Sequence, residues 1–458
     1  MKRAKRITSI LFCFVLVFMV ALTGCSSSKS SGGLSSKKTE IKITWRDQGE
    51  HDNLKQFLTK TFIPKFEKEN PDIKIVLNPI QASEGDYFSK VALAMKSSST
   101  APDVVAEDSF MLNSDANAGY LLKLDKYLKS WDQWDKYQEN LKAGSKAQDG
   151  SYYAIPGTSD SRGLWYNKSV FKKAGLPENW QPKNWDDMIK AAEIIKKKVP
   201  DAIPLSMGVC KANGESVSMQ TFEMLLYGTK ETLYDDNTKK WIVSGKGIND
   251  SLKFIDQVFN KKKLGPPLSI AMNSNYASVM FQDKLPKGKV GIILDGYWNL
   301  GNYKSDGAVP IKNVDKILGF AAMPTQYGQD PGTTTMVGGW TWAIPTKSQH
   351  HDAAWKVLQA LGSKEMQAKR AISEGNLTVR TDSAEIPAYK NRTFIPEATK
   401  YLENGHFRPA NDKYPNVSTE IQNMVESVAS GKVTPAKAAQ TFKKNVTRIV
   451  GSDNVITK

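Results

Sequence analysis

From residue 41 onward, short apolar runs of strand length alternate with longer segments whose apolar residues recur at helical spacing. Residues 41–45 (IKITW) read as a strand. Residues 51–70 follow as a helix, with Leu54, Phe57, Leu58, Phe62, Ile63 and Phe66 on one face and Asn70-Pro71 as the stop. Residues 73–77 alternate as the next strand. A helix through Phe88, Val91, Ala92 and Met95 then leads to a strand opened by Ala101-Pro102. Strand, helix, strand at this spacing predicts βαβ units and a mostly parallel sheet. Further helices are expected over 186–197, 217–227, 248–259, 353–361, 421–429 and 436–446, and strands over 290–294, 318–321 and 340–344. No Gly/Ser linker interrupts residues 40–458 and no internal repeat is visible, so any lobes meet at tight crossings.

Composition narrows the class. The chain has 458 residues, 40% of them hydrophobic and 24% charged, which suits folded lobes and excludes a disordered or collagen-like chain. Only one apolar run approaches membrane length, which excludes a multi-span membrane protein. That run, residues 7–22, follows Lys2, Arg3, Lys5 and Arg6 and precedes Leu22-Thr23-Gly24-Cys25. A basic start, an apolar centre and small residues at a cleavage point make an export signal. Its ending resembles the bacterial lipobox at all four positions. The resemblance implies removal of residues 1–24, lipidation of Cys25, and a location on the extracellular face of the bacterial cell membrane. An uncleaved membrane anchor is the alternative. Residues 25–39, rich in Ser, Gly and Lys, read as a flexible tether.

The three cysteines fit this picture. Cys13 lies in the signal and Cys25 carries lipid, so Cys210 is left alone, without an intrachain disulfide and best suited to a buried apolar place. The formal charge of +16 raises nucleic acid as a partner. The lysines are spread, as in Lys196-Lys197-Lys198 and Lys261-Lys262-Lys263, and read as solvated helix surface, so no nucleic-acid partner is expected. Nucleophile-elbow, H-E-x-x-H, P-loop and C-x-x-C patterns are missing. Adjacent His350 and His351 would diverge by about 100° on a helix, against a shared metal. No catalytic residue, metal or cofactor is therefore expected, and an exported glycosidase is the weaker competitor.

Several segments in order resemble the extracellular solute-binding proteins, family 1, of sugar-type ABC importers. They are Ala101-Pro102-Asp103-Val104, Tyr153-Ala154-Ile155-Pro156, Leu164-Trp165-Tyr166-Asn167-Lys168, Phe171-Lys172-Lys173-Ala174-Gly175-Leu176 and Asn184-Trp185-Asp186-Asp187. Gly296-Tyr297-Trp298, Gly338-Gly339-Trp340 and residues 375–380 (GNLTVR) continue the pattern, with Thr378 where the family has proline. The resemblance implies an α/β, two-lobed, type II-like binding-protein fold, each lobe a sheet flanked by helices, with about three hinge crossings. These are placed near residues 153–155, 319–325 and 375–380. One lobe would comprise 40–154 and 321–374, the other 155–320 and 375–458. It also implies a monomeric receptor without enzymatic activity. That receptor would bind a carbohydrate between the lobes and serve permease subunits driven by a cytosolic ATPase.

A sugar needs acceptors for its hydroxyls and an aromatic face for its C–H surface. Trp45 and Asp47, in the loop after the first strand, offer both; lobe core for Trp45 and solvent for Asp47 are the alternatives. The resemblance places sugar-contacting acids at Asp108 and Asp160. Against this, Asp108 could cap the next helix, and Asp160 could be an exposed turn acid or pair with Arg162. It places stacking indoles at Trp298 and Trp340, where core packing competes, Trp342 sharing a strand face with Trp340. Arg380 is either a ligand contact or a structural hinge residue. The aromatic number favours an oligosaccharide over a single sugar. Peptide or polyamine cargo, or a sugar-sensing role, would leave the same traces.

Overall fold

Two larger sheets organise residues 38–457, the part of the chain that the computed structural model describes. The export signal, Cys25 and nearly all of the expected tether lie outside the described residues. The first sheet has five strands in the order Ile73–Leu77, Thr39–Thr44, Val104–Asp108, Trp340–Ala343 and Ala154–Pro156. Its first three strands are parallel, as βαβ spacing requires; the Trp340 strand runs antiparallel to both its neighbours. Between Thr44 and Ile73 the expected helix forms as Asn53–Phe57 and Ile63–Glu69 around one widened turn, Leu58–Phe62. Pro64 cannot donate to a carbonyl one turn back, and the widened turn stands just before it. Ile41, Ile43, Phe57, Phe66, Trp342 and Leu358 are among the buried residues of this core.

The second sheet has six strands in the order Gly405–Phe407, Thr333–Val337, Leu318–Pro324, Arg162–Asn167, Val290–Gly296 and Ile203–Ser206. The Arg162, Val290 and Leu318 strands are buried at every position, so helices cover both faces. This sheet is mixed, where a mostly parallel one was expected: the central Arg162 strand is antiparallel to both neighbours. Trp185–Lys198 begins at Asn184, whose side chain accepts from the Asp187 N–H. Pro435–Val450 begins at Thr434, which caps Lys437 in the same way, with proline at its start.

The expected division of the chain needs one clear correction. Residues 321–337 were assigned to the first lobe, yet Leu318–Pro324 pairs with the Arg162 strand and Thr333–Val337 turns back onto it. The chain changes sheet at Gly338-Gly339, not near residues 319–325. The apolar Leu318 run extends an existing ladder and has no reason to leave it. The first change of sheet lies at residues 157–161, because Ala154–Pro156 is still a strand of the first sheet. Residues 375–380 run beside it. Ser159 bridges Leu377 and Asp160 bridges Gly338, so three connecting segments lie side by side. Gly339 is required here: its φ is +146°, and a Cβ would stand 2.0 Å from the Thr158 carbonyl oxygen.

Candidate functional site

The first-sheet strand Val104–Asp108 ends on an acid, and antiparallel pairing sets Trp340 opposite that acid. Asp108 accepts from the Phe110 N–H at 3.2 Å, so it also shapes the turn that follows. Its carboxylate is paired with Arg408 across 300 residues of sequence. Arg408 follows Phe407, the last residue of the second sheet's edge strand. The same guanidinium donates to Glu215 Oε2 at 3.0 Å and to the Ser109 hydroxyl at 3.0 Å. One arginine thus ties an acid of the first sheet to an acid beside the second. A second tie runs nearby: Glu84, paired with Arg46 at 3.4 Å, accepts the Glu215 N–H at 3.3 Å.

Behind Glu215 the cluster deepens. The Tyr414 hydroxyl lies 3.0 Å from Glu215 Oε2 and 2.6 Å from Glu223 Oε1. One hydroxyl proton cannot serve two carboxylates, so a proton on Glu223 completes the pattern. Burial agrees, pushing Glu223 up to about 8 and Glu84 up to about 7. Asp108 is also raised by burial, with Arg408 opposing. Burial works against the charge of Arg408, but Asp108 and Glu215 more than offset it and hold it protonated.

Asp160 sits on the first connecting segment, accepts the Gly338 N–H at 3.0 Å and is paired with Arg162. The Arg162 guanidinium lies 4.9 Å from the centre of the Trp298 ring. Trp298 is half-buried and lies over Gly296, where any Cβ would meet its ring. Asp295, beside Gly296, accepts that residue's N–H at 2.6 Å, and burial pushes it up to about 6. Trp340 is also half-buried, stacked at 17° on Phe88 and set edge-on against Tyr87. A small cavity with room for one water at most is lined by Ser109, Thr158, Ser159, Gly338 and Gly339, among others.

Asp108, Asp160, Trp298 and Trp340 therefore share one polar region between the sheets. Trp45, Asp47 and Arg380 do not join it. Trp45 is 1% exposed in the first-sheet core, its indole N–H donating to Asp52 at 2.7 Å. Asp47 caps its own loop through the Gly49 N–H at 2.7 Å and pairs with Lys55. Arg380 is locked by Asp382, Gln133 and the Gly362 carbonyl. Sequence reasoning missed Glu84, Glu215, Glu223 and Arg408; Glu223 lies within the helix expected over 217–227, where an acid among apolar residues could have drawn notice, and the pairing of Arg162 with Asp160 was weighed only as an alternative. Among the described residues no group of three or more His, Cys, Asp or Glu is placed to hold a metal, and no helix is long and apolar enough to cross a membrane.

Such a region offers carboxyl acceptors, guanidinium donors and two partly open indole faces, a set suited to a polyhydroxylated solute. Comparison with known proteins identifies the family. The family model described as bacterial extracellular solute-binding protein matches residues 49–368. A binding protein of Brucella abortus is 26% identical over 287 residues, 63% of this chain and 65% of its own length. The arabinooligosaccharide-binding protein of Bacillus subtilis is 23% identical over 412 residues, 88% of this chain and 86% of that protein. A crystal structure of an ABC transporter solute-binding protein from Thermotoga lettingae, bound with α-D-tagatose, superposes with a TM-score of 0.76. It is 24% identical and covers 91% of this chain and 100% of its own, a likeness of fold.

Proposed function

The chain belongs to the bacterial extracellular solute-binding proteins, and on that premise we propose that it is the sugar receptor of an ABC importer. It captures a carbohydrate, an oligosaccharide in this reading, between the two sheets and delivers it unaltered to permease subunits driven by a cytosolic ATPase. The observation that carries this reading is the meeting of two half-buried indoles, Trp298 and Trp340, with Asp108 at the end of a first-sheet strand and Asp160 on the first connecting segment. An indole face takes the C–H side of a sugar and carboxylates take its hydroxyls. Contacts made to both sheets at once give the solute more binding energy in a closed arrangement than in an open one, and so favour closure. The three side-by-side connecting segments are the natural hinge. The arabinooligosaccharide name of the Bacillus relative and the tagatose in the Thermotoga structure support a sugar cargo. A lipid on Cys25 would hold the receptor as a monomer at the outer face of the membrane.

A thermal-shift panel of mono- and oligosaccharides, peptides and polyamines tests the reading. Ligand at about 100 times its Kd adds roughly 2.7 kcal/mol of stability. Sugars should raise the melting temperature by a degree or more. A flat sugar series with a peptide or polyamine response would keep the receptor and overturn the cargo.

A further inference from the structure

We infer that the end of the second sheet remote from the site docks a linear phosphodiester polymer of the cell envelope. The charge of the chain is divided unequally. Residues 38–156 and 340–374, around the first sheet, hold 21 Lys and Arg against 21 Asp and Glu. Residues 157–339 and 375–458, around the second, hold 36 against 26. The whole excess of residues 38–458 therefore lies on one side of the seam.

Strand directions place much of it. Arg162–Asn167 starts at the site and runs antiparallel to Val290–Gly296 and Leu318–Pro324, which run towards it, and Ile203–Ser206 runs with the Val290 strand. The segments at the opposite end are residues 167–173, 196–203, 283–290 and 312–318. Together they hold 11 lysines against 3 aspartates. Lys261-Lys262-Lys263 joins them, since Lys196 donates to the Lys262 carbonyl oxygen at 2.7 Å. Lysine runs that look scattered in sequence thus converge. Asp283 is shared by Lys284 and Lys287, and Asp315 lies 4.0 Å from Lys316. Lys172, Lys173, Lys197, Lys198, Lys289 and Lys312 are exposed and have no ion-pair partner among the described residues. The seven residues of the Val290 strand span about 20 Å, at about 3.3 Å each. That is more than twice the Debye length of about 8 Å in physiological salt, so the acids of the seam leave this end unneutralised.

Three features select the occupant. The charge calls for an anion. The four segments expose no aromatic ring, so they offer neither a platform for bases nor a wedge for a lipid interface. Point charges set out over several segments suit phosphates repeated along a chain better than one compact anion. The membrane is the other anionic surface open to an extracellular protein. Thr39, however, opens a strand parallel to Val104–Asp108 and so lies at the remote end of the first sheet, across the seam from the lysines. A lipid on Cys25 would hold that pole to the membrane and leave the basic pole facing outward.

Lysine acetylation read by mass spectrometry tests this, on the full chain inserted in phosphatidylcholine vesicles, with poly(glycerol phosphate) as the probe. At about 50 mM salt the polymer should slow acetylation of Lys197, Lys198, Lys289 and Lys312 about tenfold, and the protection should fade by about 200 mM. Combining Lys197→Gln, Lys198→Gln, Lys289→Gln and Lys312→Gln should weaken co-flotation of the polymer about tenfold or more, with sugar binding unchanged. Such exposed substitutions leave folding nearly untouched. Lys68→Gln, Lys90→Gln, Lys129→Gln and Lys356→Gln together, around the first sheet, should weaken it less than twofold. Absent protection, or equal loss in both combined variants, overturns the inference and leaves the receptor reading standing. Equal protection by phosphatidylglycerol vesicles without polymer overturns it in favour of the membrane.

Discussion

Arg380 and Arg408 are both buried and both paired with aspartate, yet they live in opposite kinds of surroundings. Arg380 meets Asp382 through two donors at 2.9 and 2.7 Å and fills its remaining directions with Gln133 and the Gly362 carbonyl. It also lies over the Tyr137 ring. Arg408 divides itself between an acid of the first sheet and one beside the second, leaves its Nε without a partner and stands among carboxyl groups that outnumber it. A buried charge with every nitrogen partnered is an element of architecture. One that bridges separate parts and leaves neighbours unsatisfied belongs to a site that exchanges partners.

The sharpest way to break this contrast is Arg380→Ala. Removing one member of a locked pair should cost about 3 kcal/mol in denaturant unfolding, while solute affinity of the folded protein stays within a factor of two. A large affinity loss would place Arg380 in the binding machinery after all. Trp298→Ala should give the mirror image. Sugar affinity should fall about tenfold, equivalent to about 1.4 kcal/mol. The melting temperature without sugar should hardly move, because this ring is half-buried and packs on Gly296 and Arg162. A melting temperature that fell sharply would return Trp298 to the core.

Acidity separates the two arginines more finely. Asp382 is held below its ordinary range by Arg380, so its folded form binds fewer protons than the unfolded form. That contribution is present above about pH 4 and is lost as pH falls through the lowered value. Glu223, Glu84 and Asp295 are raised to about 8, 7 and 6, so here the folded form binds more protons. Stability should therefore fall as pH rises from about 5 to 8, and Glu223→Gln should flatten that slope. Melting curves across pH 3–9 would show both arms. A profile that rose between pH 5 and 8 would refute the assignment of these acids.

Much of the fold could be read from periodicity. Residues 73–77 form the expected strand because Ile73 and Ile75 alternate with exposed or half-exposed neighbours. The Arg162 strand was invisible to that test, since all six of its residues are buried. The boundary at Gly338-Gly339 was misplaced for a related reason. The buried Leu318 strand and its hairpin partner announce nothing about which sheet they join. In the site, Asp108 and Asp160 were singled out by the family resemblance, and both stand where the two sheets meet. Arg408 was not, because its importance comes only from two acids 300 and 193 residues away. Trp45 misled because the end of a strand looks open in sequence, whereas Asp52 folds back over its indole nitrogen.

The three connecting segments have a mechanical consequence. Ser159 is laced to Leu377 and Asp160 to Gly338, so the ribbons form a laminate rather than separate strings. A laminate flexes readily about one axis in its plane and resists shear and torsion. Swinging about that axis would part the whole acid-rich seam together, like a book opening from its spine, rather than peel it from one end. Capture would then be registered as a single change of silhouette, whatever the solute's own outline, and a membrane partner would need to recognise only that shape.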